Sequence, residues 1–156
     1  MTQEEKQLLW KDLCARLPYR VRCKCVNGLD GSKTEHGVLK YIGNCNGIIS
    51  NYYEDIPIDS GLVNNMFYPV ENIKPHLRSM STMTESEMEE LRELCGGIVW
   101  KKDILHDEVL DIYYRHDALD WLLKHHFDTR GLIGMGLALE APEGMYDEML
   151  NHYKKI

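Results

Sequence analysis

Apolar residues first recur at helical spacing, with Leu9, Leu13 and Leu17 at i, i+4 and i+8 and with Trp10 and Cys14 beside them. That period predicts an amphipathic helix over residues 3–17, closed by Pro18, whose ring disfavours helical geometry in the residue before it. From Tyr19 to Val26 the period drops to two. Val21, Cys23 and Cys25 alternate with Arg20, Arg22 and Lys24, as in a strand with one buried and one wet face. Asn27-Gly28 and Asp30-Gly31 then mark a reversal. Further strands are expected over residues 37–42, 47–53 and 66–73, separated by the turn residues 43–46 and by a Pro- and Gly-punctuated loop over 54–65. Short strands joined by tight turns predict a curled sheet or small barrel, with an SH3-like barrel as one candidate closure.

A sharper instruction follows in KPHLRSMSTMTESEMEELRELC, residues 74–95. Pro75 keeps Lys74 extended. Thr84-Glu85-Ser86-Glu87 is a capping box, and Met83 and Met88 hold the staple positions on either side of the helix start. Acidic residues crowd the first turn, where the helix dipole favours them. Met88, Leu91 and Cys95 form the buried stripe, and Gly96-Gly97 is the expected C-cap. Residues 98–104 and 109–114 predict a hairpin. Asp117 is placed to cap a third helix over 118–126, Gly131 to end that region, and GLALEA, residues 136–141, to form a last strand.

These elements predict a single α+β domain over residues 1–156. It comprises an N-terminal helix (1–17), a β-rich half (18–78) packed on a helix-hairpin-helix-strand half (79–141), and a tail (142–156). Composition agrees, since 44% hydrophobic and 28% charged residues match globular averages. No apolar run is long enough for a transmembrane helix, and the N-terminus lacks signal-peptide character, so the expected location is cytoplasmic and no membrane partner is expected. An odd set of five cysteines argues for reduced thiols. The net charge of −7 disfavours a general grip on nucleic acid. It is unevenly spread, however, at +3 over residues 1–50, −6 over 51–99 and −4 over 100–156. Any anion-binding surface is therefore expected in the first third.

Three pieces of the chain, LWKDLCARLPYRVRC, IKPHLRSMSTMTESEMEEL and DWLLKHHFDTRGLIGMGLALEAPEGMY, together resemble a family of small uncharacterised proteins encoded in Bacteroidales genomes, often among phage-like or mobile-element genes. The resemblance implies a setting and no reaction, because that family brings no assigned activity, cofactor or catalytic residue.

Candidate chemistry is sparse. His125, His126, Asp128 and Arg130 place two imidazoles, a carboxylate and a guanidinium close together, which suits a small anionic ligand or an acid–base pair. The same residues also suit a helix end and the turn after it. Arg20, Arg22 and Lys24, with Lys40, and with Lys33 and Tyr41 adjacent, make the nucleic-acid candidate. Tyr52, Tyr53, Phe67 and Tyr68, with Met66, are the partner-facing candidates around the 54–65 loop, although they equally suit a core. Neither His106, Asp107, Asp111, His116 and Asp120 nor Cys23, Cys25, Cys45 and Cys95 has a recognised ligand spacing, so no metal and no cofactor is expected. No nucleophile elbow, P-loop or dinucleotide fingerprint occurs. The expected role is a non-catalytic interaction or accessory protein of a mobile element, self-association included. Nucleic-acid binding by a small barrel and an unrecognised site near His126 and Arg130 are the alternatives.

Overall fold

The computed structural model describes residues 1–26, 34–43, 46–51, 65–95, 116–148 and 150. The expected hairpin over 98–114, the Gly96-Gly97 cap and residues 54–64 of the expected 54–65 loop lie outside them. In chain order the described elements are α1 (Gln3–Arg16), β1 (Arg22–Val26), β2 (Thr34–Gly43), β3 (Asn46–Asn51), β4 (Asn65–Pro69), β5 (Ile73–Leu77), α2 (Glu85–Leu94), α3 (His116–Lys124) and β6 (Leu139–Glu140). Helices and sheet together make the chain α+β. It divides into two compact units, Met1–His76 with Leu132–Leu139, and Leu77–Gly131 with Glu140–Ile156.

The strands run in the order β4-β3-β2-β1-β5-β6. β1 pairs antiparallel with β2 on one side and β5 on the other, and β3 pairs antiparallel with β2 and β4. The sheet is not closed, so the described strands do not form an SH3-like barrel. One expected strand, 66–73, is two. Pro69 has no amide hydrogen for the ladder, and a 3-10 turn at Val70–Asn72 carries the chain away from β3 and on to β1. Val70 and Ile73 are both fully buried, which is why the apolar run looked continuous. The last expected strand shortens to Leu139–Glu140 because residues 132–136 turn, with Gly136 at a φ of 72°.

Helix α1 starts at a capping box in which Thr2 Oγ1 accepts from the Glu5 amide and Glu5 accepts from the Thr2 amide. Its buried stripe is Leu9, Asp12, Leu13 and Arg16, while Cys14 is exposed. The expected stripe of leucines and Cys14 is thus rotated to admit an ion pair. Pro18 lies inside a 3-10 turn, Leu17–Tyr19, and Arg20 takes the left-handed φ of 55° that turns the chain into β1. Cys23 and Cys25 point inward as their alternation predicts.

In the other unit, α2 packs on α3 around Met83, Leu91, Cys95, Ala118, Leu122 and Phe127, with Met80, Met88 and Trp121 half-buried beside them. The Thr84 capping box forms as expected. Helix α3 begins at His116, so Asp117 lies in its first turn and does not cap it.

Candidate nucleic-acid interface

Alternation alone puts Arg22 and Lys24 on the face of β1 opposite Cys23 and Cys25. Register then supplies neighbours that the sequence keeps far apart. Lys24 is opposite His36 of β2 on one side and opposite Lys74 of β5 on the other, so three strands contribute one cross-strand row. Arg22 is opposite Val38 of β2 in the next row, and by alternation from Lys74 the residue of β5 on this face is His76. The two imidazoles reach over β1 towards each other, with ring centroids 6.0 Å apart and planes inclined by 27°. His36 is exposed, Arg22, Lys24 and Lys74 are half-buried, and His76 is buried. Among the described residues no carboxylate stands in these rows, because Glu35 falls opposite Cys25.

The face continues towards β4 through an aromatic position. A β-bulge between Leu39 and Tyr41 sets Tyr41 opposite Ile48, which is itself opposite Phe67. Tyr41 is 56% exposed. Its ring lies over Gly43, where an added Cβ would come 2.6 Å from the phenol oxygen and 2.8 Å from a ring carbon. A glycine two residues along the strand therefore lets an exposed aromatic ring lie down on the sheet. Of the predicted cationic set, β1 and its rows unite Arg22 and Lys24. Lys40 is exposed at the bulge and Arg20 is exposed before β1. Lys33 lies outside the described residues. Lys74, His36 and His76 were missed, although one signal was readable: Lys74 and His76 flank Pro75 at strand spacing.

The cluster at the end of α3 has a different character. Phe127 N–H donates to the Leu122 carbonyl at 3.0 Å and His126 N–H to the Leu123 carbonyl at 3.0 Å. With His126 at a φ of 60°, this is a Schellman stop that uses histidine in the left-handed position usually given to glycine. The His126 ring has no exposed surface and stacks on Tyr146, centroids 3.8 Å apart. His125 stacks on Trp121 at 3.8 Å, and its Nδ1 donates to the Trp121 carbonyl at 2.8 Å. Burial pushes the His125 pKa down, against the raising effect of that hydrogen bond and of Glu87 and Glu90. Trp121 in turn stacks on Phe127, and the Arg78 guanidinium sits 4.2 Å over the Phe127 ring. Asp128 N–H donates to the Arg78 carbonyl and Arg78 N–H to the His126 carbonyl, both at 2.8 Å. Asp128 and Arg130 follow, half-buried. The histidines serve here as packing rings, and His126 offers no surface to a ligand.

Tyr68 is 2% exposed and belongs to the buried core. Tyr52 and Tyr53 lie outside the described residues, and Phe67 is placed only by its register in β4. Cys23 and Cys25 are buried under the sheet, and burial, with Cys25 and Asp12 nearby, pushes the Cys23 thiol well above its usual range. Cys95 is buried against α3 in the helical unit. Among the described residues no three His, Cys, Asp or Glu side chains group as metal ligands, and no helix among them is long and apolar enough to cross a membrane. Comparison of the chain with protein-family models, with curated proteins and with solved structures finds no match.

Proposed function

We propose that this protein binds single-stranded nucleic acid across the β2-β1-β5 face and performs no chemistry on it. The observation that carries this reading is the row in which Lys24 stands between His36 and Lys74, with Arg22 beside it and Tyr41 exposed on the same sheet. Cations that track a backbone, combined with an aromatic ring on which a base can stack, are what single strands need. A duplex hides its base faces and offers Tyr41 nothing to stack on. The surrounding acidity limits the reading less than the net charge of −7 suggests. Exposed charges beyond about 8–10 Å are largely screened at physiological salt. An accessory role in a mobile element, where single strands arise during transfer or replication, fits the setting implied by the sequence resemblance.

The test is a mobility-shift titration of a labelled oligothymidylate at low salt, with the matching duplex as control. Wild type should bind the single strand more tightly than the duplex, and Lys24→Ala/Lys74→Ala should weaken binding at least about tenfold. With about three phosphates neutralised, log K should fall against log salt with a slope of about −2. Equal binding by wild type and the double variant, or none by either, would sink the reading.

A further inference from the structure

The cationic face contains two imidazoles. His36 and His76 come from strands on opposite sides of β1, yet their rings meet over it, 6.0 Å apart between centroids. A surface row needs no such meeting. His36 is exposed and His76 is buried, and the two converge where Arg22, Lys24 and Lys74 already stand. We propose that the His36–His76 pair is a proton-linked phosphate seat within this interface, so that one backbone phosphate of the bound strand settles over β1 against imidazolium and Lys24 together. This rests on the single-strand reading above and specifies where a phosphate sits and what regulates it.

The argument is one of linkage. Histidine is the side chain that changes charge between about pH 5 and 8. A phosphate placed over the pair favours the charged form of either ring, and by reciprocity protonation favours the phosphate. Among the described residues, the charged residues of the same rows are Arg22 and Lys24 from β1 and Lys74 from β5. On β2 the one carboxylate, Glu35, stands in the row of Cys25. The carboxylate of the turn before β5, Glu71, is held by Lys6 of α1 at 2.8 Å. β6, the neighbour of β5, carries the exposed Glu140. On β1 and β5 the described neighbours of the seat are thus cations, and proton uptake adds to an attraction already present. The phosphate remains a diester throughout, and no bond is made or broken.

The experiment measures binding of oligothymidylate to the full chain at fixed ionic strength near pH 5.5 and pH 8, together with calorimetry near pH 6.5 in buffers of different ionisation enthalpy. Wild type should bind about tenfold more tightly at the lower pH and take up about one proton. His36→Gln alters an exposed ring, so it should leave the fold intact and bring the pH ratio close to one. Lys24→Ala/Lys74→Ala should weaken binding at both pH values and keep the ratio. Binding that is indifferent to pH, proton uptake of zero, or a ratio unchanged in His36→Gln would overturn the proton-linked seat while leaving the single-strand reading standing. Absence of binding at both pH values would overturn both.

Discussion

Asp12 and Arg16 stand on consecutive turns of α1, and neither reaches solvent. Arg16 Nε donates to Asp12 Oδ2 at 2.6 Å and its Nη2 to Oδ1 at 3.2 Å, a two-point fork whose geometry offsets desolvation. In the sequence the pair looks like an ordinary i, i+4 surface bridge, because spacing reports neighbours along a helix and not what covers them. Asp12→Ala should cost about 3–5 kcal/mol in urea unfolding, since it removes one partner of a buried ion pair. Asp12→Leu/Arg16→Met should recover most of that, and a loss below about 1 kcal/mol in the single variant would mean that Arg16 reaches water. His125 makes a prediction about pH. Its folded pKa is lowered, chiefly by burial, so the unfolded chain takes up the proton first. Stability is therefore full above the ordinary histidine range and is lost as pH falls from about 6.5 through the lowered folded value. His125→Gln should flatten this acid limb in unfolding midpoints followed by tryptophan fluorescence. A limb as steep as that of wild type would assign it to other groups.

At the scale of elements, caps separate what is readable from what is not. The Thr84 box was legible because both partners lie within one turn: Thr84 Oγ1 accepts from the Glu87 amide, and Glu87 accepts from the Thr84 amide at 2.9 Å. The second task of Glu87 was not legible. Arg78, nine residues earlier, donates to both of its carboxylate oxygens, at 2.6 and 2.9 Å. Burial pushes the Glu87 pKa up, but Arg78 and Thr84 outweigh it and hold the carboxyl below its usual value. One side chain thus closes the helix start and anchors the Arg78 guanidinium over Phe127. Thr84→Ala should cost about 1 kcal/mol, the value of a cap. Glu87→Gln should cost about 1.5–3 kcal/mol, because a charge-assisted bond is lost as well. Equal costs for the two in chemical denaturation would show that the Arg78 link adds nothing. The other end of the helical pair reverses the lesson. The stop of α3 falls at His126, five residues before the glycine that signals one, because the stack on Tyr146 compensates a left-handed backbone that histidine otherwise resists.

Across the whole molecule, the charge asymmetry along the chain puts Arg22 and Lys24 in its basic first third, and the alternation from Arg20 to Val26 puts them on one face of β1. Neither could supply Lys74 and His76, which join Lys24 and Arg22 through pairing of β5 with β1 across some 50 intervening residues. The sequence by itself determined the helical and strand periods, the Thr84 capping box and the inward pair of cysteines. All of these are settled by hydrogen bonds and sterics reaching a few residues. The tertiary structure alone decided that the run over 66–73 splits between opposite sides of the sheet, that an ion pair lies buried in α1, and that two histidines meet over β1. Those outcomes depend on which distant strand satisfies a given backbone edge and which apolar surface covers a given side chain, and both are settled only when the whole sheet assembles.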